Sequence, residues 1–203
     1  MEVKGLRARH AEETRRALVE AATGLFAAAG YADTSTEEVV ARAGVTRGAL
    51  YHHFGSKQGL FQAVLEAVHA DLIERLVGRW EAGGLAEGGD VWDQVRAGCQ
   101  AYLDACLDPT YQRIALVDAP AVLTDQGAST GLVGLELLEE RIEEAMEAGL
   151  IGPMPVGPLA GVLGAALHQA SLLVAQSPAP ERARQEVGVI VDRLLEGLRA
   201  GPA

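Results

Sequence analysis

The 203-residue chain has only two cysteines, and aromatic residues make up 4% of it. Two cysteines exclude the disulfide-stapled scaffold of small secreted domains. Met1–Leu6 is polar and no apolar stretch follows it, so we expect no secretory signal and a cytoplasmic protein. The hydrophobic content of 49% is too high for a disordered chain, and the length predicts one large domain or two small ones.

Long hydrophobic runs are also scarce, and only Val156–Ala175 raises the question of a membrane span. Pro158 and several glycines interrupt this run, and His168 and Gln169 lie within it. Such groups are costly in lipid, so we interpret the run as a buried helix of a protein without a membrane segment.

Positive charge is scarce overall, with 17 basic against 28 acidic residues and a net charge of −11. That balance argues against a nucleic-acid partner for the chain as a whole, because phosphates attract cations. Residues 1–60, however, contain eight basic and seven acidic residues, whereas residues 61–203 contain nine and 21. This asymmetry predicts two domains with different tasks, which we place at 1–60 and 61–203.

Apolar residues recur at helical spacing and no segment alternates as a strand does, so the predicted fold class is all-α. Glycines, prolines and capping residues then set the expected helix ends. We expect helices over residues 11–29, 36–43, 47–54, 57–79, 91–107, from 109 onward, 131–148, 159–176 and 180–199, with breaks at 81–90 and 124–130.

The most informative pattern joins the second and third predicted helices. Ser35 and Glu38 have the spacing of a capping box, which begins the second helix. Gly44 is suited to the left-handed conformation that ends it, Val45 is an apolar plug, and Thr46 caps the third helix. Two short helices joined in this way predict a helix-turn-helix, a common DNA-binding motif.

In the third helix Leu50 and Phe54 lie four residues apart and would hold it on the core. The outward side then contains groups that suit DNA. An arginine can bind guanine through two hydrogen bonds, a glycine lets the helix approach closely, and hydroxyl and imidazole groups donate to phosphates. The candidates for DNA contacts are Ser35, Thr36, Thr46, Arg47, Gly48, Tyr51, His52 and Lys57.

The run from Val45 to Lys57, VTRGALYHHFGSK, resembles the DNA-binding signature of the tetracycline-repressor (TetR) family of bacterial transcriptional regulators. The similarity extends over residues 14–61 with the same order and spacing. It implies an all-α homodimer with a three-helix DNA-reading head and a larger ligand-sensing domain. It further implies that Thr46, Arg47 and Gly48 enter the major groove, while Tyr51, His52 and Lys57 contact the DNA backbone.

The regulatory part matches the family in length and helix order, so its pocket must be sought from residue chemistry. Polar or aromatic groups within apolar helices are candidates for ligand contact, although each such group alone is more often a satisfied core group or a surface residue. They are His69, Trp92, Cys99, Tyr102, Tyr111, Asp118, His168 and Gln169. The small number of aromatic residues favours an aliphatic pocket over an aromatic cage.

The last two predicted helices, at about Leu159–Gln176 and Pro180–Arg199, each have an apolar stripe. Each stripe could belong to the chain's own core, and the two together could equally form half of a symmetric four-helix bundle with a second copy of the chain. The family resemblance favours the dimer. The function predicted is a dimeric repressor, released from a palindromic operator by a small apolar molecule.

No metal cluster and no cofactor motif is recognised in the sequence. Cys99 and Cys106 are expected to be buried thiols, with redox sensing as the less favoured interpretation. The competing hypotheses are an enzyme with an accidental helix-turn-helix and an adaptor that does not bind DNA. The enzyme hypothesis lacks a nucleophile elbow, a phosphate loop and a dinucleotide fingerprint.

Overall fold

The computed structural model describes residues 2–81, 89–123 and 134–200. Within these ranges the chain forms helices and no strand, apart from one isolated bridge between Ile151 and Arg199. The all-α prediction is therefore confirmed for the described residues. The helices are α1 Glu2–Ala29, α2 Thr36–Ala43, α3 Arg47–Phe54, α4 Lys57–Glu81, α5 Val91–Ala105, α6 Pro109–Tyr111, a π-helical segment Gln112–Asp118, α7 Ala119–Val122, α8 Leu135–Glu147, α9 Val156–Ala175 and α10 Pro180–Glu196.

Most expected helix ends agree with these bounds to within a few residues, and α3 agrees at both ends. The largest difference is α1, which begins nine residues before the expected start, because residues 2–10 continue the helix without an apolar stripe to mark it. The predicted break at 124–130 and most of the predicted loop at 81–90 lie outside the described residues.

Contacts divide the described chain into two compact units, residues 2–70 with 109–123 and residues 71–108 with 134–200. The first unit thus includes a segment that the sequence assigned to the regulatory domain. The functional boundary at residue 60 stays a prediction, because compact units of contacts and units of function need not coincide.

The core of the first unit is built on the apolar stripe of α1. Leu18 and Phe26 are fully buried, as are Leu50 of α3 and Phe61 of α4. The rings of Phe26 and Phe61 meet edge to face at 5.4 Å between centroids, and Tyr31 packs against Phe61 at 5.1 Å. Aromatic pairs of this geometry add about 0.5–1.5 kcal/mol each beyond the burial of their area.

The turn between α2 and α3 has the predicted local geometry. The Ser35 hydroxyl accepts from the Glu38 amide at 3.2 Å, and the Glu38 carboxylate accepts from the Ser35 amide at 2.8 Å. Gly44 has φ 67°, a left-handed conformation that glycine adopts without a steric penalty. The Thr46 hydroxyl accepts from the Ala49 amide at 3.2 Å and begins α3. These caps fix the orientation of α3.

The beginning of α4 lies close to the end of α3. Ser56 caps α4 by accepting from the amide of Gly59 at 2.9 Å. A Cβ atom on Gly59 would lie 2.1 Å from the carbonyl oxygen of Phe54, well inside van der Waals contact. Glycine at this position therefore allows the first turn of α4 to pack against the end of α3.

The second unit packs α5 against α8, α9 and α10. Trp92 of α5 is 2% exposed, and its indole N–H donates to the carbonyl of Leu195 at 3.0 Å. Arg184 of α10 donates to Asp104 at 2.5 Å and to the side-chain oxygen of Gln100 at 2.8 Å. These bonds hold α10 on α5.

The apolar run Val156–Ala175 is the helix α9, which is long and apolar enough to cross a membrane by length and composition alone. One of its faces, which includes Leu163, Leu167 and Val174, is buried within the second unit. The opposite face contains Val162 and Leu173, which are 69% and 51% exposed. Half-buried packing against neighbouring helices is typical of a helix in a folded domain, and it leaves one apolar face of α9 exposed.

Candidate nucleic-acid interface and effector cavity

The outward face of α3 is exposed, as the sequence predicted. Arg47, Gly48, Tyr51 and His52 are exposed, while Leu50 on the other side of the helix is fully buried. The nearest atom to a Cβ built on Gly48 is the Thr46 hydroxyl at 3.8 Å, so the glycine leaves a shallow place on this face. This face of α3 is therefore accessible to a large partner such as the groove of a DNA duplex.

Arg47 is held by two neighbours. Its Nη1 atom lies 2.7 Å from Oε1 of Glu37 on α2, and its Nη2 atom donates to the Tyr51 hydroxyl at 3.4 Å. The guanidinium carbon also lies 5.4 Å from the centroid of the Tyr51 ring. The bond to Tyr51, followed by the charge of Glu37, raises the pKa of Arg47, and the same bond lowers the pKa of Tyr51.

The two candidates at the start of α2 are less available than Arg47. The Ser35 hydroxyl is occupied by the capping box and also donates to the Glu38 carboxylate at 2.7 Å. Thr36 is only 8% exposed, and its hydroxyl donates to Oε2 of Glu37 at 3.1 Å. The structure thus places Thr36 behind Glu37 rather than on the surface, which the sequence did not indicate.

Lys57 is bound to the link between α1 and α2. Its Nζ atom donates to the carbonyls of Tyr31 and, at 3.5 Å, Ala32, and it lies 4.2 Å from the centroid of the Tyr31 ring. A lysine at this position can still offer its remaining donor to a phosphate. Contact between Lys57 and DNA stays a prediction.

Asp118, one of the predicted pocket residues, has partners within the protein. Its carboxylate accepts from the backbone amide of Tyr31 at 2.8 Å and lies 3.3 Å from Nε of Arg113. The side chain is therefore engaged within the first unit. The backbone N–H of Tyr31 donates to Asp118, and the backbone carbonyl of Tyr31 accepts from Lys57. These two charged side chains therefore fix the link between α1 and α2.

A cavity lies within the second unit, between α4, α5, α8 and α9. It is partly open to solvent. Its walls are almost entirely apolar, with three polar or ionisable side chains at Cys99, Tyr102 and Arg141. The guanidinium of Arg141 lies 2.7 Å from Glu144 and 3.2 Å from Glu140. Arg141 carries no signal of a cavity in the sequence, because a basic residue among acids on an amphipathic helix has the pattern of an ordinary surface ion pair.

Two of the eight predicted pocket residues, Cys99 and Tyr102, line this cavity. Among the described residues, the other six predicted pocket residues do not line this cavity. The indole N–H of Trp92 donates to a backbone carbonyl in the core, and Asp118 is engaged as described above.

The three predicted histidine and glutamine residues also lie elsewhere. His69 lies beside Tyr111 in the first unit, with 6.1 Å between ring centroids, and burial lowers the pKa of its imidazole. His168 is half-buried and Gln169 is exposed on α9.

Both cysteines are buried free thiols. Burial, as the main cause, raises the pKa of Cys99 and of Cys106 to about 12. The thiols are therefore protonated at neutral pH, and protonated thiols are poor nucleophiles. Both thiols have a higher pKa in the folded protein than in the unfolded chain, where it is about 9. At a pH below about 9 the thiols are protonated in both states and do not affect the free energy of unfolding. As the pH rises above about 9, they ionise more readily in the unfolded chain and the folded protein becomes less stable.

We expect both thiols to resist Ellman's reagent at pH 8, reacting at least about a hundredfold more slowly in the folded than in the denatured protein. Absorbance at 412 nm with and without guanidinium measures this ratio. Rapid reaction of one thiol per folded chain would restore the redox interpretation.

Two family models match separate stretches of the chain. Residues 18–64 match the family described as bacterial regulatory proteins, tetR family, and residues 92–198 match the tetracyclin repressor-like C-terminal domain. The first match includes α2, the turn and α3, and the second includes α9, α10 and the cavity-lining residues of α5, α8 and α9.

Individual proteins give the same result. The chain is 34% identical to a TetR-family transcriptional regulator from Pectobacterium atrosepticum, with a TM-score of 0.82 over 96% of this chain and 98% of that one. It is 47% identical over 58 residues to the HTH-type transcriptional regulator SrpR of Pseudomonas putida, and 46% identical over 59 residues to TtgR of the same species. These two matches cover 29% of this chain and only 27% and 28% of the relatives.

Proposed function

Because the chain belongs to the TetR family of bacterial regulatory proteins, we propose that it is a dimeric, ligand-responsive repressor of transcription that binds a pseudo-palindromic operator in the cytoplasm. The observation that carries this proposal is the exposed face of α3, where Arg47, Tyr51 and His52 surround a glycine. The relatives described above are named as regulators rather than enzymes.

On DNA, the face of α3 would lie in the major groove. Arg47 has the donors to bind O6 and N7 of a guanine, and Gly48 allows close approach of the helix to the base edges. Tyr51 and His52 would donate to phosphates beside the groove, which fixes the register without reading sequence. The caps of α2, α3 and α4 hold these groups on one rigid surface.

Dimerisation is supported by the exposed apolar side chains of the last two helices. Val162 and Leu173 of α9 are more than half exposed, as are Val189, Ile190 and Leu194 of α10. Apolar residues concentrated on two adjacent helices are typical of a protein interface. A two-fold related copy would cover them in a four-helix bundle and place two α3 helices on one operator.

The effector would occupy the cavity of the second unit. Its apolar walls suit a small, mostly apolar molecule, and Tyr102 and Arg141 offer the polar contacts that orient a ligand. Ile73 and Leu76 of α4 line the cavity, and the same helix begins at Lys57 beside the recognition helix. A ligand that displaces α4 would alter the spacing of the two heads, so effector and DNA would weaken each other's binding equally.

Two substitutions separate reading of sequence from binding of the DNA backbone. We expect Arg47→Ala to lower operator affinity by about 1–3 kcal/mol and to relax preference at one base pair of each half-site. Lys57→Ala should weaken binding to all DNA sequences alike. It should also reduce the salt dependence of the affinity by the equivalent of about one phosphate contact per DNA-binding head. Fluorescence anisotropy with an operator selected from the source genome, and with single-base variants of it, measures both effects.

Lys57→Arg is the control for the charge at residue 57, since it keeps a cation near the Tyr31 carbonyl. An Arg47→Ala variant that retained the parent's affinity and base preference would refute the proposed role of α3.

A further inference from the structure

We propose that Glu37 is a specificity-determining residue of the DNA-binding surface, a role that rests on the proposed function. In the unbound protein the Glu37 carboxylate pairs with Arg47. Arg47 leaves this pair only when a DNA site offers it an equally favourable contact. The effect is to weaken binding to random sequence more than binding to the operator. The sequence alone does not indicate this role for Glu37, because an acid in the first turn of a helix is already explained by the helix dipole.

The geometry gives each oxygen of the Glu37 carboxylate its own partner. Oε1 lies 2.7 Å from Nη1 of Arg47, and Oε2 accepts from the hydroxyl of Thr36 at 3.1 Å. Thr36 is buried, so it anchors the carboxylate from the protein side. Arg47 is in turn supported by the hydroxyl and ring of Tyr51. The guanidinium is therefore held between α2 and the face of its own helix.

This arrangement treats phosphates and bases differently. A phosphate that approaches Arg47 brings a negative charge close to the Glu37 carboxylate, which opposes the contact. The O6 and N7 atoms of guanine are neutral acceptors, so they can bind the guanidinium with less repulsion. A repulsive group that acts mainly on the wrong partners is a common source of specificity.

The ion pair also contributes little to folding, which makes the test clean. The side chains of Arg47 and Glu37 are 62% and 60% exposed, and ion pairs in such exposed positions stabilise a fold only weakly. The Glu37→Gln variant should therefore fold as the parent does. Glutamine keeps the size and an acceptor oxygen for Thr36 while removing the negative charge.

The experiment measures binding to a labelled 30-base-pair duplex of mixed sequence between 50 and 200 mM salt. We expect Glu37→Gln to bind this duplex about three- to tenfold more tightly than the parent, with a steeper salt dependence. Glu20→Gln is the matched control, because it removes the same charge from an exposed position on α1 and should change the affinity less than twofold. With a selected operator, the ratio of operator to mixed-sequence affinity should fall in Glu37→Gln alone.

A double substitution separates the proposed mechanism from simple charge repulsion. If Glu37 acts through Arg47, the effect of Glu37→Gln should disappear in an Arg47→Ala background. The inference is overturned if Glu37→Gln matches Glu20→Gln, if it binds mixed DNA more weakly than the parent, or if its effect persists without Arg47. Failure of the parent protein to bind any duplex would instead refute the proposed function.

Discussion

The Ile190→Glu variant should be a monomer at micromolar concentrations where the parent protein is a dimer, and it should bind the operator at least about a hundredfold more weakly. Ile190 is 57% exposed on α10, and Leu194, one turn further along, is 52% exposed. In the proposed interface these side chains would be buried against the partner. An unpaired carboxylate buried there would cost several kcal/mol, and two-fold symmetry introduces it twice.

The loss of DNA affinity follows from the loss of the second head. Two linked heads bind a palindrome with a high effective concentration of the second, and a monomer has no such advantage. Sedimentation equilibrium and fluorescence anisotropy on the same samples measure both consequences. Val117→Glu is the control, because Val117 is 50% exposed in the π-helical segment and lies outside the proposed interface. An Ile190→Glu variant that stays dimeric would exclude this face of α10 from the interface.

We expect Asp118→Ala to destabilise the first unit by about 2–3 kcal/mol, because it leaves a partly buried amide and a guanidinium without their shared acceptor. Asp118 is 9% exposed and accepts from the Tyr31 amide at 2.8 Å. Lys57 binds the carbonyl of the same residue. Loss of Asp118 should therefore also loosen the anchor of Lys57 and weaken DNA binding beyond the effect on stability.

Asp118→Asn separates the hydrogen bond from the charge, since its amide oxygen can still accept from Tyr31 while the pairing with Arg113 is weakened. We expect it to lose less than half as much stability as Asp118→Ala. Urea unfolding followed by circular dichroism measures both variants against the parent. Equal losses in the two variants would show that the charge, rather than the bond to Tyr31, stabilises this link.

The helix-turn-helix was predictable because its signals are local. Ser35 with Glu38 and Thr46 with Ala49 interact over three residues, so their spacing in the sequence states the contact directly. Leu50 is buried and Arg47 exposed for the same reason, since helical periodicity separates the two faces.

The role of Asp118 was not predictable, because its partner Tyr31 is 87 residues away. A lone acid in an apolar helix looks the same in sequence whether it contacts a ligand or satisfies a distant amide. Arg141 and Glu37 were missed for the related reason that their local explanations, a helical ion pair and a favourable dipole contact, were already sufficient. The π-helical segment Gln112–Asp118 has no residue signal that separates it from an α-helix.

The most direct test of operator binding by a dimer is a hydroxyl-radical footprint of the purified protein on genomic fragments that it enriches. We expect two protected half-sites related by dyad symmetry, with centres one helical turn or a multiple apart, occupied by two protomers. Enrichment of no fragment, or protection of a single asymmetric site by one protomer, would contradict it.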